Sequence, residues 1–213
     1  MIERKAEKYI NNWIKNPDRA LLVTGARQVG KTFIIRKCLK DNECNYVELN
    51  LISDSEFIAL LEQSDTINEL KLNLSVLKDI QFVDYKTFIF IDEVQAVPRA
   101  LSALKYFCED APEYHIIAAG SLLGLAIHEG ASFPVGKVDE MNLYPISFPE
   151  YVWARLGRAA YESLTESPLE ELNSLTQAYT ELLREYYFTG GMPEVVQAYI
   201  DGRKPQAVRD MQK

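Results

Sequence analysis

Residues 21–32 decide the fold, and they read Leu-Leu-Val-Thr-Gly-Ala-Arg-Gln-Val-Gly-Lys-Thr. An apolar run typical of a buried strand leads into a loop framed by Gly25 and Gly30, after which Lys31 and Thr32 open a helix. The backbone amides of such a loop form a nest for a polyphosphate at the helix N-terminus. The stretch predicts nucleotide binding by Gly25, Ala26, Arg27, Gln28, Val29, Gly30, Lys31, Thr32 and Phe33.

Two adjacent carboxylates follow the apolar segment at residues 88–91. Asp92 and Glu93 would therefore lie at the carboxyl end of a buried strand, where ligands of open α/β sheets bind. Asp92 is predicted to hold magnesium through water or through Thr32, whose hydroxyl is itself a candidate ligand, and Glu93 to orient and deprotonate an attacking water. Lys31 can reach the terminal phosphates, so these side chains form a predicted site for nucleotide hydrolysis.

Two further polar residues have more than one interpretation. Ser121 follows the apolar segment at residues 115–119 and is a candidate catalytic residue that senses the γ-phosphate or the attacking water. Serine is equally common as the cap of a following helix, and the sequence favours neither role. Gln95 could approach the magnesium region, but exposure preferences favour a side chain that faces solvent.

Apolar segments alternate with helical patterns along most of the chain, which predicts an α/β fold with a parallel sheet wrapped by helices. The domain prediction is a nucleotide-hydrolysing core with an N-terminal helix at residues 1–144 and a helical appendage at residues 145–213. Residues 203–213 show no closing hydrophobic element. Strands are predicted before Gly25 and at residues 45–49, 87–91, 115–119 and 137–143, and helices at residues 2–15, 31–40, twice within 54–79, from Pro98, from Ser147, at 172–186 and from Pro193.

Composition bounds the class of protein. The chain has 213 residues and a formal net charge of −8, which argues against strong binding of nucleic acid by the whole surface. No apolar run approaches the ~20 residues that cross a bilayer, and the N-terminus lacks the features of an export signal. Cys38, Cys44 and Cys108 are scattered and lack metal-ligand spacing, so we expect reduced thiols in a cytoplasmic protein without membrane contact.

Other nucleotide enzymes fit the sequence less well. The chain has no Asn-Lys-x-Asp tetrapeptide of the kind that reads guanine, so adenine is favoured over guanine. A small-molecule kinase would not need a carboxylate at Glu93 beside Asp92. An arginine often stabilises the charge of the transition state, but the sequence does not choose among Arg27, Arg99, Arg155, Arg158 and Arg184.

Several segments together resemble one branch of the AAA ATPases, in which a C-terminal nuclease-like domain of unknown function follows the ATPase module. The resemblance covers nearly the whole chain and is carried by residues 25–32, 91–95, 119–121, 143–151 and 190–196. It implies a three-layer P-loop NTPase fold, with a parallel sheet in the order 5-1-4-3-2, helices on both faces and a small helical lid. It also implies ATP and Mg²⁺ as cofactors, and it carries the family's site roles onto Lys31, Thr32, Asp92, Glu93 and Ser121.

The expected function is Mg²⁺-dependent ATP hydrolysis coupled to a conformational change. Alternatives are an ATP-operated switch or scaffold with little turnover, and the ATPase module of a protein that acts on nucleic acid. The chain departs from the family at Lys137, where an arginine is usual, and lysine loses the two-pronged contact of a guanidinium. It also stops at Lys213, before the family's C-terminal domain, so that domain or another protein is an expected partner, alongside a homo-oligomer.

Overall fold

A computed structural model describes residues 2–64, 66–79, 81–97, 111–121, 138–168 and 170–212. The chain forms two compact units. The first, here called the sheet unit, comprises Tyr9–Arg27 and Lys31–Leu143. The second, the helical unit, comprises Met1–Lys8, Gln28–Gly30 and Tyr144–Lys213.

The sheet unit is built on five parallel strands in the order β2-β3-β4-β1-β5. From the opposite edge the order is 5-1-4-3-2, so the predicted P-loop NTPase fold and the order implied by the resemblance are confirmed. Strand β3 lies inside the sheet between β2 and β4, and every residue from Thr87 to Asp92 is buried, as its continuous apolar run predicts. The strands are β1 Ala20–Gly25, β2 Asn45–Asn50, β3 Thr87–Asp92, β4 His115–Gly120 and β5 Val138–Leu143.

Helices and turns connect these strands. Helix α1 is Lys5–Lys15, α2 is Lys31–Asp41, α3 is Ser55–Gln63, α4 is Ile67–Leu77, and a 3-10 turn at Val94–Ala96 follows β3. Helix α2 buries one face, because its apolar side chains recur at three- and four-residue spacing. That face contributes Ile34, Ile35, Cys38 and Leu39 to the core. The helix predicted from Pro98, and with it Arg99, Cys108 and Lys137, lies outside the described residues.

Serine and proline residues open two helices of the helical unit. Ser147 caps α5 (Phe148–Leu156) in a capping box with Glu150, and Pro193 opens α8 (Pro193–Ile200). The hydrophobic core of this unit includes Ile146, Tyr151, Val152, Tyr179, Leu182 and Val196. The remaining helices are α6 Arg158–Glu166, α7 Thr176–Thr189 and α9 Pro205–Asp210.

Two predictions about the helical unit were wrong. Residues 172–175 do not belong to the helix predicted at 172–186, because they lie in a 3-10 segment at Glu171–Leu175 and α7 begins at Thr176. The end of the chain does contain a closing hydrophobic residue, since Val208 on α9 is fully buried. Within the described ranges, no helix combines the length and the apolar character needed to span a bilayer.

Candidate functional site

The loop after β1 turns sharply before α2 begins at Lys31. Gln28 has a φ of 62° and Gly30 a φ of 95°, both in the left-handed region. A residue other than glycine in this region costs on the order of 1 kcal/mol, and such strain tends to cluster at ligand sites. Both residues lie in the stretch at 25–33 for which the sequence predicts phosphate binding.

Lys31 turns its ammonium group back onto this loop. Its Nζ donates hydrogen bonds to the carbonyl oxygens of Gly25 at 2.9 Å and Ala26 at 2.8 Å. The residue is only 7% exposed, and burial lowers the pKa of Lys31, against the opposing effect of the nearby carboxylates. The lysine therefore holds a poorly hydrated positive charge whose present partners are neutral carbonyls, and a phosphate would be a stronger acceptor.

Thr32 and Asp92 meet between α2 and the end of β3. The Thr32 hydroxyl donates to Oδ2 of Asp92 at 2.8 Å, and the Glu93 amide donates to Oδ1 at 3.0 Å. Asp92 is 4% exposed, and burial raises the pKa of its carboxyl group although both hydrogen bonds oppose the change. A half-buried hydroxyl beside a buried carboxylate offers hard oxygen donors of the kind that Mg²⁺ prefers.

This pair fits the predicted magnesium site in a particular way. In the parts of the chain that the structure describes, no group of three or more His, Cys, Asp or Glu side chains could hold a metal ion. Mg²⁺ commonly binds through one or two protein ligands, with substrate phosphates and water completing its coordination. Thr32 and Asp92 therefore suit a magnesium ion that arrives with a nucleotide.

Gln95 links Glu93 to Ser121 at the ends of β3 and β4. Its Nε2 donates to Oε2 of Glu93 and to the Ser121 hydroxyl at 3.1 Å, and its Oε1 accepts from the Ser121 amide at 2.9 Å. The favoured interpretation of Gln95 as a solvent-facing side chain was therefore wrong. Ser121 is 1% exposed and lies beside Gln95, the partner of Glu93. The alternative prediction, that Ser121 caps a following helix, concerns residues outside the described ones.

The AAA domain family matches this chain over residues 17–152, which is more than half of its length. This chain belongs to the AAA domain family. The fold is similar to that of the Walker-type ATPase PABY2304 of Pyrococcus abyssi, with a TM-score of 0.59 and 16% sequence identity over 99% of this chain and 71% of that one. No curated protein matches the sequence significantly.

Family and fold together support ATP binding and ATPase chemistry for this AAA chain. At 16% identity the likeness to PABY2304 concerns the fold alone. The roles of individual residues thus rest on the geometry of the sheet unit.

The candidate arginines of this AAA chain take different positions. Arg27 and Arg184 are exposed, Arg155 pairs with Glu185 at 3.0 Å, and Arg158 pairs with Glu162 at 2.7 Å. None of these ion pairs includes a predicted site residue. The geometry therefore singles out none of them as a stabiliser of transition-state charge.

Sequence reasoning missed Arg4, which contacts Val29 of the loop after β1 within the helical unit. Its guanidinium donates to Oε1 of Glu150 at 3.0 Å, to the Tyr144 carbonyl at 2.7 Å and to the Val29 carbonyl at 3.5 Å. Arg4 is only 8% exposed. An arginine next to Lys5 in an amphipathic helix looks like a surface residue, so nothing local in the sequence signals this burial.

Proposed function

We propose that this AAA domain binds ATP together with Mg²⁺ and hydrolyses the terminal phosphate. The observation that carries the proposal is the Thr32–Asp92 hydrogen bond of 2.8 Å, which joins the start of α2 to the end of β3. Glu93 follows immediately, so a second carboxylate stands next to the predicted metal ligands. Lys31, Thr32, Asp92, Glu93 and Ser121 are the residues to which we assign the chemistry.

Each of these side chains has a distinct part in the proposed mechanism. Lys31 exchanges its two carbonyl partners for oxygens of the β- and γ-phosphates and offsets their charge. Bound Mg²⁺ supplies Lewis-acid stabilisation of the same phosphates, with Thr32 and Asp92 as its protein ligands or second-sphere contacts. Glu93 holds the attacking water and accepts its proton. Ser121 donates a hydrogen bond to the γ-phosphate or to that water.

The finer assignments of the domain follow from the sequence segments. We assign the ATPase core to residues 1–144 and a helical lid to residues 145–213. The segments at residues 143–151 and 190–196 support membership of the AAA branch with a C-terminal nuclease-like domain. We further infer a cytoplasmic protein, which the free thiol of Cys44 supports.

In this proposal ATP hydrolysis drives a conformational change of the domain. Neighbouring subunits or another protein are the partners on which that change acts. A second copy of the chain is a natural partner, because an arginine provided by a neighbour often stabilises the transition state of nucleotide hydrolysis. An ATP-dependent increase in particle size in light scattering would support this part of the proposal.

Replacing Glu93 by glutamine tests the proposed chemistry. Glu93→Gln keeps the size of the side chain but removes the base, so phosphate release should fall by roughly 100-fold or more while ATP still binds. Glu166→Gln, at an exposed position on α6, is the matched control and should hydrolyse ATP like the parent. A Glu93→Gln protein as active as the parent contradicts the proposal. ATP-dependent assembly with no turnover in the parent would instead identify a nucleotide-operated switch.

A further inference from the structure

The amide of Gln95 has only one orientation that satisfies its surroundings. Its Oε1 accepts from the backbone N–H of Ser121 at 2.9 Å, so the NH₂ group must point the other way. Both amide hydrogens are then used, one on the Glu93 carboxylate and one on the Ser121 hydroxyl. A reversed amide would set an NH₂ group against an N–H and a carbonyl oxygen against a carboxylate.

The backbone aims Gln95 at this position. Glu93 has a φ of 55°, in the left-handed region, and its carbonyl accepts from the Ala96 amide at 2.8 Å to close the 3-10 turn at Val94–Ala96. This conformation costs on the order of 1 kcal/mol for a residue other than glycine. The turn folds Gln95 back beside Glu93 and across to the end of β4, the strand that pairs directly with β3.

Ser121 and Glu93 each keep one hydrogen-bonding atom that Gln95 does not use. Ser121 Oγ accepts from Gln95, so the hydroxyl hydrogen of Ser121 remains available for another acceptor. Glu93 uses Oε2 for Gln95, and among the described residues no side chain donates to its Oε1. Ser121 thus offers a hydrogen-bond donor and Glu93 offers an acceptor. A phosphate needs a donor, and an attacking water needs an acceptor for its proton.

We propose that Gln95 is a positioning residue that fixes Glu93 and Ser121 as a single unit for ATP hydrolysis. This inference rests on the proposed function of the same site. Gln95 does not touch the reacting atoms; it sets the rotamer of the Glu93 carboxylate and the direction of the Ser121 hydroxyl hydrogen. Because a misplacement of about 1 Å can cost roughly 100-fold in rate, loss of this amide should lower kcat by roughly 10- to 100-fold.

Two substitutions separate positioning from a merely structural role. Gln95→Ala removes the whole link, whereas Gln95→Glu keeps the size and the acceptor for the Ser121 amide but can no longer donate to Glu93 without taking up a proton. Both should lower kcat, and in the uncharged Gln95→Ala variant the affinity for a fluorescent ATP analogue should stay within about twofold, since Gln95 bonds to neither Lys31 nor Thr32. The control is Gln177→Ala, at an exposed position on α7. A Gln95→Ala protein with the parent's kcat overturns the proposal.

A spectroscopic measurement tests the same link without any turnover. In ¹H–¹⁵N spectra the Gln95 side-chain amide signals are identified by their disappearance in Gln95→Ala, and Glu93→Ala should displace them while leaving the Gln177 amide signals in place. Unmoved Gln95 signals overturn the proposal even in an active ATPase. Displaced signals in a parent that does not hydrolyse ATP would support the link and contradict the proposed hydrolysis, so the two failures are distinguishable.

Discussion

Two residues of the candidate site, Lys31 and Asp92, carry ionisable groups in buried positions, where charge is disfavoured. Lys31 is 7% exposed and Asp92 is 4% exposed. Burial lowers the pKa of Lys31 and raises the pKa of Asp92, so in both cases it favours the uncharged form. Hydrogen bonds reduce this cost, and in the proposed function a nucleotide with its metal ion would provide the matching charges.

Lys31 gives the prediction that belongs to this scale. Lys31→Met should weaken ATP binding by at least roughly tenfold, because the loop loses its only ammonium contact to the phosphates. Since burial lowers the pKa of Lys31, its ammonium is less stable in the folded protein than in the unfolded chain. The free energy of unfolding at pH 7 should therefore stay the same or rise slightly.

Nucleotide titration and urea denaturation measure these two effects separately. Lys40→Met is the matched control, because Lys40 is exposed on the same helix and should leave ATP binding unchanged. Parent-like ATP affinity in Lys31→Met would show that the loop after β1 is not the phosphate site. A large loss of stability would show that the bonds to Gly25 and Ala26 outweigh the burial of the charge.

At the scale of secondary-structure elements, the carboxylate of Glu150 joins the starts of two helices. Oε1 of Glu150 accepts from the Lys5 amide and from Arg4 Nε, both at 3.0 Å, and Oε2 accepts from the Ser147 amide at 2.9 Å. Glu150 thus satisfies unpaired amides at the beginning of both α1 and α5, where the helix dipole also favours negative charge. The residue is 5% exposed, so its ionised form depends on these partners.

Removing Glu150 should destabilise the helical unit. Glu150→Ala leaves Arg4 buried without its charged partner, and breaking a buried pair in this way costs about 3–5 kcal/mol. Ser147→Ala, which removes only the side-chain half of the capping box, should cost about 1 kcal/mol. Urea denaturation at pH 7 compares the two variants. Equal losses would mean that Glu150 acts as an ordinary helix cap and that its pairing with Arg4 adds nothing.

Acid provides an independent check on Glu150. Burial alone would raise its pKa, but the Ser147 amide and the charge of Arg4 outweigh burial, and the net effect lowers the pKa below the ordinary value of 4.5. A lowered pKa means that the stabilisation is complete above the unfolded value and is lost as the pH falls through the folded one. Between about pH 5 and pH 3 the parent should therefore lose more stability than Glu150→Ala.

Elements defined by apolar runs were the most predictable. The strand predicted at residues 87–91 is observed at Thr87–Asp92, because a continuous apolar run has few alternatives to a buried strand. The capping box at Ser147 and Glu150 was also predictable, since both of its halves lie within one turn. Residues 172–175 were predicted wrongly, because three- and four-residue spacing is compatible with a 3-10 segment followed by a helix.

At the scale of the whole molecule, the missed features are those that need a partner far away in the sequence. Gln95 bonds to Ser121, and Arg4 bonds to Glu150. Local periodicity and exposure preferences describe a residue's neighbours along the chain, so they assign both side chains to the surface by default. Tertiary hydrogen bonds of this kind become visible only once the ends of strands and helices are placed together.

The division of the chain into two units gives the final prediction, which concerns Gly191 in the helical unit. A Cβ atom at Gly191 would lie 2.5 Å from the Ile146 carbonyl oxygen and 2.9 Å from Pro145 Cβ, so Gly191→Ala forces the backbone apart. The same contact includes a hydrogen bond of 2.7 Å from the Ile146 amide to the Gly191 carbonyl. The variant should therefore lose about 1–3 kcal/mol or more in stability.

Hydrogen exchange locates that loss within the molecule. If the helical unit opens by itself, amides of α5 and α8 should exchange faster in Gly191→Ala, while those of β1 and β3 keep the parent's protection. Gly202→Ala is the control for backbone strain, because Gly202 has a φ of 80° but no atom within 4 Å of its Cβ position. A uniform increase of exchange across β1, β3, α5 and α8 would show instead that the two units unfold in a single cooperative step.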